Sequence, residues 1–293
     1  MFNPQVYENS RPDGIGVLEI LDGNGTGEKR SRRFVPLKRT ELTGEVLGPL
    51  ASLRLTMVYG YSKEQCDKVV EAVYRFPLPG DAAVTGVRVL FGNVEIRAEL
   101  RERKKAEAEY KAAKRQGKQA ALATRESPDV FTLHVAGIQP DQHVTVETSY
   151  VQLARAEGPG WSLRIPLTTA PRYVRSDEVT SRHAQGQPLL LLRDPGHRFS
   201  LDVTLRGAAA VESSTHRLDV APGGDALRVR LRDGEVIPDR DCVLSWRPRQ
   251  EGKWPTLQAL THDDRKSGHV YFLALVAPPA AGTFIWNEYL SKN

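Results

Sequence analysis

A strict alternation of apolar and polar residues constrains the fold of this chain more than any other feature. In the stretch SLRLTMVYGY, large apolar side chains occupy every second position: Leu53, Leu55, Met57, Tyr59 and Tyr61. The same period recurs in VFTLHV, HVTVETSY, WSLRI, FSLDVTL, ALRVRL and CVLSW. A period of two is the repeat of a β-strand with one buried face, and it is typical of antiparallel sheets. The sequence therefore predicts a mainly β protein.

Turn-forming residues separate these apolar runs. Gly92–Asn93 joins VRVLF to VEIR, Pro222–Asp225 precedes ALRVRLR, and DGNGTGE leads from VLEIL back to RFVPL. Each stretch predicts a hairpin. DGNGTGE also resembles the start of a calcium-binding loop at Asp22, but its twelfth position is Arg33 where such a loop needs Glu. We interpret it as a turn only.

The composition describes a folded protein with a mild excess of positive charge. Of 293 residues, 40% are hydrophobic and 26% are charged, which is typical of globular rather than disordered chains. A net charge of +5 favours weak contact with anionic surfaces. It is too small to indicate nucleic-acid binding by itself.

Cysteine usage and the apolar runs indicate a cytoplasmic protein without a membrane span. The two cysteines, Cys66 and Cys242, are fewer than a secreted chain of this size often carries, although a disulfide between them remains an alternative. The N-terminus lacks the basic and apolar regions of a secretory signal. The longest apolar run, Val270–Pro279, is about half as long as a membrane span requires.

One stretch, LRERKKAEAEYKAAKRQGKQAAL at residues 100–122, departs from the strand pattern. Ala106, Tyr110, Ala113 and Gly117 follow helical spacing, which predicts one exposed α-helix. Glu99–Lys118 holds eight cations and four anions, many of them in pairs four residues apart. Such pairs stabilise a solvated helix, so the charge does not require a ligand. The cations that could contact an acidic protein partner are Arg101, Lys104, Lys111, Lys114 and Lys118.

The segment VYRFPLPGDAAVTGV at residues 73–87 resembles the VIT domain, the vault and inter-alpha-trypsin-inhibitor module. EIRAELRERKKAEAEYKAAKRQGKQAAL and SPDVFTLHVAGIQPDQHVTVETSY follow in the family's order. VPLKRTEL upstream, and LRIPLTTAPRYV and VIPDRDCVLSW downstream, are similar to the flanking regions of bacterial members. The resemblance covers residues 15–279.

This resemblance implies an architecture and its boundaries. We expect a VIT-type antiparallel β-sandwich with one exposed α-helix at residues 15–155, a second β-sandwich-like unit at 156–279 and an amphipathic tail at 280–293. Within FPLP, Pro77 and Pro79 cannot donate ladder hydrogen bonds, so this motif should end a strand. None of its side chains can perform acid–base or nucleophilic chemistry.

The sequence departs from the family pattern in two places. The family's GNIxPG reads AGIQPD, with Ala136 and Asp141 replacing the two glycines, which predicts a different local backbone. Family members usually continue past LxPP into a von Willebrand A domain with a metal-binding DxSxS loop. Here ALVAPP is followed by AAGTFIWNEYLSKN, and the printed sequence contains no DxSxS. The metal-dependent chemistry of that domain is therefore not carried over.

No constellation of residues indicates catalysis or a cofactor. The seven histidines are scattered without a nucleophile motif, so we predict that the protein is not an enzyme. THDDRKSGH is the best metal candidate, through His262, Asp263, Asp264 and His269. It lacks a helical pair of histidines, and a similar stretch in related bacterial sequences resembles a hairpin turn. We predict no catalytic, cofactor or metal site.

The tail GTFIWNEYLSKN is the segment least expected from the family. Ile285, Trp286, Tyr289 and Leu290 would lie together on an amphipathic turn with Thr283 as its N-cap. The residues predicted to contact a partner are Phe284, Ile285, Trp286, Tyr289 and Leu290. Two alternatives are that the tail folds back over its own sheet edge, or that it is appended sequence at a truncation point.

The resemblance implies a non-enzymatic protein–protein interaction scaffold or adaptor. Its partner would be another protein, with a von Willebrand A domain in cis or in trans as one candidate. The alternative function is weak binding of an anionic polymer or nucleic acid through the basic helix and the strand carrying Arg228, Arg230 and Arg232. Neither surface is interleaved with aromatics for base stacking, so no specific nucleic acid is expected. A hydrolase is the weakest hypothesis.

Overall fold

The computed structural model describes residues 17–21, 34–77, 82–91, 94–97, 112–113, 115–116, 120–127, 130–167, 193–249, 255–264 and 267–277. In the VIT-like part the strands are β1 (Val17–Ile20), β2 (Leu37–Leu47), β3 (Leu50–Tyr59), β4 (Val70–Pro77), β5 (Ala83–Phe91), β6 (Val94–Arg97), β7 (Ala120–Ser127), β8 (Val130–Ile138) and β9 (Val144–Leu153). After it come β10 (Arg155–Glu157), β11 (Gly160–Ile165), β12 (Arg193–Arg206), β13 (Ala208–Glu212), β14 (Leu218–Gly223), β15 (Ala226–Val236), β16 (Cys242–Pro248), β17 (Thr256–Asp264) and β18 (His269–Ala277).

The largest sheet has eight strands in the order β14-β15-β12-β2-β3-β9-β5-β6. Its neighbours pair antiparallel except for β12 and β2, which are parallel in the middle of the sheet. Strands from both sides of the predicted boundary at residues 155 and 156 therefore share one hydrogen-bonded sheet. The division into two units stays a prediction.

Two four-stranded sheets and one hairpin complete the described architecture. The first sheet runs β1-β4-β8-β7, the second runs β10-β11-β16-β13, and β17 pairs only with β18 within the described part of the chain. Buried side chains of the three larger sheets form one hydrophobic cluster, including Leu18, Leu133, Leu244 and Phe199. The prediction of a mainly β protein is confirmed.

The alternation seen in the sequence corresponds to the buried faces of the strands. Leu53, Leu55, Met57, Tyr59 and Tyr61 are all buried, as predicted. Glu147 of β9 lies opposite Arg88 of β5 on the solvent side and accepts a hydrogen bond from its Nε at 2.8 Å. The eight-stranded sheet thus has one apolar and one polar face, which is the arrangement that a period of two predicts.

The strand pairings flank the predicted turns, of which Gly92–Asn93 and DGNGTGE lie outside the described residues. Phe91 of β5 and Val94 of β6 are directly opposite each other. Gly224, with φ +64°, turns the chain between β14 and β15. An antiparallel bridge between Glu19 and Phe34 brings the two ends of the DGNGTGE region together. β4 ends at Pro77, as the FPLP motif predicts.

Asp141 stands where the family pattern has its second glycine, and a different local backbone there stays a prediction. Its φ is 58°, inside the left-handed region that favours glycine, so the aspartate keeps a glycine-like conformation. The Asp141 amide donates to the carbonyl oxygen of Tyr61 at 2.9 Å, and its Oδ1 accepts from the amide of Lys63 at 3.0 Å. These two bonds hold the turn, because a short acidic side chain tolerates this conformation and can bond locally.

The predicted α-helix lies almost entirely outside the described residues. Of residues 100–119, only Ala112, Ala113, Arg115 and Gln116 are described, and β7 begins at Ala120. The Gln116 amide is directed at the carbonyl oxygens of Ala112 (3.3 Å) and Ala113 (3.1 Å), as in a helical turn. The single exposed helix stays a prediction. No helix in the described ranges is long and apolar enough to cross a membrane.

Candidate interaction surface

The β17–β18 hairpin presents one exposed apolar face. Antiparallel pairing places four pairs on this face: Leu257–Val276, Ala259–Ala274, Thr261–Phe272 and Asp263–Val270. The large apolar members are exposed to 67% (Leu257), 66% (Val270), 79% (Phe272) and 70% (Val276). We call these eight residues the hairpin face. Contiguous exposed apolar groups of this kind mark interaction sites on soluble proteins.

On the reverse side of the hairpin, Leu275 lies against a turn of the eight-stranded sheet, whereas Tyr271 is 58% exposed. Leu273 and Leu275 point away from the hairpin face and are half-buried. A Cβ placed on Gly48, in the turn between β2 and β3, would lie 2.6 Å from Cδ1 of Leu275. Glycine at that turn therefore lets the leucine side chain approach the backbone closely. The reverse side of the hairpin is thus covered in part, around Leu273 and Leu275.

From the pairing register we infer a shallow notch in the middle of the hairpin face. The Ala259–Ala274 pair lies between the large Leu257–Val276 pair and the ring of Phe272. Directly opposite residues are about 5 Å apart and successive same-face residues about 7 Å apart, so two alanines leave room for one large side chain. A partner side chain can insert there between aliphatic and aromatic walls.

The hairpin turn occupies the stretch predicted as the best metal candidate. The amide of Gly268 donates to the carbonyl oxygen of Asp264 at 2.8 Å, and the Ser267 hydroxyl donates to Asp264 Oδ2 at 2.6 Å. Alternation places Asp263 on the opposite side of the hairpin from His262. Within the described ranges no group of three or more His, Cys, Asp or Glu residues is arranged to hold a metal ion.

The arginines of β15, to which the alternative hypothesis assigns anionic-polymer binding, face solvent but are paired with Asp202. Arg228 donates from Nε and NH2 to the two carboxylate oxygens of Asp202, at 2.8 and 2.7 Å. Arg230 donates to the same carboxylate at 3.0 Å. The Arg228 bonds hold the pKa of the Asp202 carboxyl below its ordinary value. Because one aspartate serves two arginines, this strand has less free positive charge than its sequence indicates.

Ser213, Thr215 and His216 form a close hydroxyl–imidazole group; another such contact in the described residues joins Thr40 Oγ1 and the buried His197 Nε2 at 2.9 Å. His216 Nδ1 lies 2.9 Å from Thr215 Oγ1, which is 3.2 Å from Ser213 Oγ. Ser213 Oγ accepts the amides of Thr215 and His216, and Thr215 Oγ1 accepts the amide of Val243. These bonds cap a turn, which explains the grouping without a catalytic role.

The two cysteines are separate free thiols. Cys242 is buried in β16, and Cys66 is half-buried in the loop before β4. Burial raises the pKa of the Cys242 thiol to about 12, with a further contribution from the Asp241 charge. A buried thiol of this kind is chemically inert.

The partner-contact residues predicted from the sequence lie outside the described residues. This applies to the helix cations Arg101, Lys104, Lys111, Lys114 and Lys118, and to the tail residues Phe284, Ile285, Trp286, Tyr289 and Leu290. Sequence reasoning missed the hairpin face, because it considered Val270–Pro279 only as a candidate membrane span. The signal was the alternation of Val270, Phe272, Ala274 and Val276 in a run without any charge.

A comparison with known families identifies a domain in the N-terminal part of the chain. Residues 37–150 match the family model of the Vault protein inter-alpha-trypsin domain. The chain carries a VIT domain. The match begins at the first residue of β2 and ends within β9, so the VIT domain supplies β2, β3, β5, β6 and β9 to the eight-stranded sheet. Strands β12, β14 and β15, which complete that sheet, come from outside the matched range.

The relatives of this VIT-domain chain are much longer proteins. Rat von Willebrand factor A domain-containing protein 5A is 32% identical over 231 residues, covering 75% of this chain and 27% of the rat protein. Mouse protein mono-ADP-ribosyltransferase PARP4 is 26% identical over 257 residues, covering 76% of this chain and 13% of the mouse protein. The chain thus spans about a quarter, or less, of these relatives.

Similarity to solved structures is weaker. The crystal structure of an M1 zinc metallopeptidase from Deinococcus radiodurans superposes with a TM-score of 0.37 and 12% identity, covering 86% of this chain and 50% of the peptidase. A similarity at this level says nothing about activity.

Proposed function

We propose that this chain is a non-enzymatic protein–protein interaction module built on a VIT domain, and that the hairpin face is its docking surface. The observation that carries the proposal is the 79% exposure of Phe272 among other exposed apolar residues. Burying apolar surface lowers the free energy by about 25 cal/mol for each Å² removed from water. A partner that covers the hairpin face therefore gains binding free energy from apolar burial, which a solvated charged face would not provide.

The relatives support the class of partner. One of them is named for a von Willebrand A domain, and the present chain matches only 27% of its length. We propose that the hairpin face receives a folded protein domain with an apolar patch, a von Willebrand A domain in cis or in trans. The proposed setting is the cytoplasm, as the cysteine count predicts.

The alternative of anionic-polymer binding has less support. Asp202 pairs with Arg228 and Arg230, so two of the three arginines on that strand already have a counter-charge. Phosphate binding depends on free cations that release counterions. We do not propose nucleic acid as a partner.

Biolayer interferometry with the purified rat von Willebrand factor A domain-containing protein 5A tests the proposal. The whole chain and a chain shortened at Pro279 are measured side by side, together with Phe272→Lys in each. We expect micromolar binding that falls about tenfold or more in Phe272→Lys, because a lysine cannot be buried against an apolar patch. Val69→Lys is the matched control, since Val69 is also exposed (61%) but lies outside the hairpin.

The outcomes separate the two parts of this proposal. An absence of binding by both lengths of the chain would refute a von Willebrand A domain as a partner in trans. Binding that Phe272→Lys and Val69→Lys leave equally strong would refute the hairpin face as the docking surface.

A further inference from the structure

We propose that Arg39, Arg198 and Ser200, on the polar face of the eight-stranded sheet, bind a single phosphate group, and that Glu235 competes with the phosphate for Arg39. We call the three residues the arginine site. Arg198 lies on β12 directly opposite Arg39 of β2, in the parallel pair of strands. The side chains before and after Arg198 are buried, so Arg198 points to the opposite, polar face of the sheet.

The arginine site holds two like charges side by side. Residues directly opposite each other on neighbouring strands have Cβ atoms about 5 Å apart, and like charges in such a pair are destabilising. Arg39 pairs with Glu235 at 2.6 Å. Arg198 has no carboxylate partner in the described part of the chain; its NH1 donates to the carbonyl oxygen of His197 at 3.0 Å, on its own strand. One acid is therefore bonded to only one of two opposed arginines.

The Arg39–Glu235 ion pair spans the strand between its two members. Glu235 lies on β15 opposite Ser200, whereas Arg39 lies on β2 opposite Arg198, so the pair crosses β12 between Ser200 and Arg198. The Ser200 hydroxyl oxygen is buried there and has no hydrogen-bond partner among the described residues. A buried hydroxyl without a partner is unfavourable. The arrangement is thus destabilised twice, by the opposed arginines and by the hydroxyl, and one bound anion would relieve both.

The ion pair is weak enough for such an exchange. Its side chains are 52% (Arg39) and 41% (Glu235) exposed, and exposed pairs contribute little to stability. When Glu235 moves aside, two guanidinium groups and one hydroxyl can donate to the same anion. A phosphate group matches them, because it carries nearly two negative charges and three acceptor oxygens near neutral pH. A carboxylate, with one charge and two oxygens, matches them less well.

The neighbouring acids restrict the arginine site to one phosphate group of modest affinity. Glu41 lies opposite Ser200 on β2 and repels an anion. Asp202, two positions further along β12, already neutralises Arg228 and Arg230. A polyanion therefore finds no continuous row of free cations beside the arginine site. We expect phosphate to bind with a dissociation constant in the millimolar range.

Titration of the whole chain with inorganic phosphate tests the arginine site. At constant ionic strength, we expect saturable NMR shifts of the Ser200 amide and of the Arg198 Nε–H. Arg198→Gln should weaken binding about tenfold or more, because charge-assisted hydrogen bonds are lost. Arg54→Gln is the charge-matched control, since Arg54 is exposed on the same face, on β3. Equal weakening in both variants, or an absence of saturable binding, overturns the proposal.

Two further variants test the roles of Glu235 and Ser200. Glu235→Gln frees Arg39, so phosphate should bind several-fold more tightly, whereas Glu212→Gln, on exposed β13, removes the same charge elsewhere. Ser200→Ala should weaken phosphate binding and, without phosphate, leave the urea midpoint unchanged or higher. Unchanged affinity in Glu235→Gln overturns the competition, and unchanged affinity in Ser200→Ala removes the hydroxyl from the site.

Titrations with other ligands identify the anion and its source. Acetate at the same ionic strength should bind about tenfold more weakly than phosphate, and equal affinity would overturn the assignment to a phosphate group. A phosphoserine peptide that binds more tightly than inorganic phosphate assigns the site to phosphorylated protein, whereas weaker or equal binding assigns it to a free phosphate group. None of these measurements involves the hairpin face, so this proposal and the proposed function can fail separately.

Discussion

The indole N–H of Trp246 donates to the carbonyl oxygen of Gly48 at 3.2 Å. Trp246 belongs to β16 of a four-stranded sheet, whereas Gly48 turns the chain between two strands of the eight-stranded sheet. Leu275 of the hairpin approaches the same glycine from another side. Gly48 is therefore the point at which two sheets and the hairpin meet, and its substitution should affect all three.

Replacing Trp246 by Phe should destabilise the protein by at least about 2 kcal/mol, because it leaves the Gly48 carbonyl without its buried donor and removes ring volume. Trp161→Phe is the matched control, since Trp161 lies directly opposite on β11 and is less buried. Urea unfolding of both variants measures the difference. Equal losses would show that the bond to Gly48 contributes nothing specific.

Gly48→Ala should cost more than Gly158→Ala. Both glycines have φ near +55° (+56° and +55°), so both substitutions carry the left-handed penalty of about 1–2 kcal/mol. A Cβ at residue 158 meets nothing within 4 Å, whereas at residue 48 it meets Leu275. The difference in unfolding free energy between the two variants measures how much the contact of Leu275 with this turn stabilises the protein. Hydrogen exchange of β18 amides should also accelerate in Gly48→Ala alone.

Replacing Asp202 by Asn should raise the salt concentration at which the protein elutes from heparin. The carboxylate neutralises Arg228 and Arg230, and its loss frees both cations for phosphate or sulfate groups. Glu212→Asn, on an exposed strand outside this pair, is the charge-matched control. A wild-type protein that already elutes at high salt would contradict the pairing argument.

The pKa of His216 should make stability fall in mild acid. Burial, and then the charge of Arg240, lower this pKa below its ordinary value of 6.5, while Asp239 opposes the shift. The native state then binds fewer protons than the unfolded state below that value. The contribution of His216 to the free energy of unfolding is fully present above pH 6.5 and is lost as the pH falls towards the native pKa of His216.

Histidine NMR titration and urea unfolding on both sides of that pH check this prediction. His216→Gln should remove the part of the acid sensitivity that His216 causes. A native His216 pKa at or above the ordinary value would contradict the predicted fall of stability in mild acid.

Cys242 should resist thiol reagents while the protein is folded. With its pKa raised to about 12, almost none of the buried thiol is deprotonated near neutral pH, and the thiolate is the reactive form. Cys66→Ser isolates the Cys242 reaction, which should be slow in buffer and fast in urea. Fast labelling of native Cys66→Ser would show that β16 opens readily.

The strand faces of this fold could be predicted from the sequence because burial on one face of a strand imposes a local period. Leu53, Met57 and Tyr61 reveal their common side without knowledge of any partner strand. The pairing of Phe91 with Val94 was predictable for a similar reason, since turn chemistry is local. The conformation of Asp141 was not, because its two bonds to the loop at Tyr61 and Lys63 join segments about eighty residues apart.

Pairing between distant segments also explains the other differences. Nothing in LRVRLR shows that Asp202, on a different strand, neutralises Arg228. The hairpin face could have been found from the alternation of Val270, Phe272 and Val276, but its exposure depends on which elements cover it in space. A single sequence indicates which side of a strand is apolar and leaves open what lies against it.

The parallel pairing of β2 with β12 has a consequence during synthesis. β2 emerges from the ribosome about 150 residues before β12, which at about 5–20 residues per second is a delay of roughly 8–30 s. Through that interval the nascent VIT domain holds β3 on one side of β2 and an unpaired strand edge on the other. Arg39, Glu41 and Glu45 place charges along this edge, and charged side chains discourage pairing with other chains. The polar outer face of β2 thus protects the half-made protein as well as solvating the finished one.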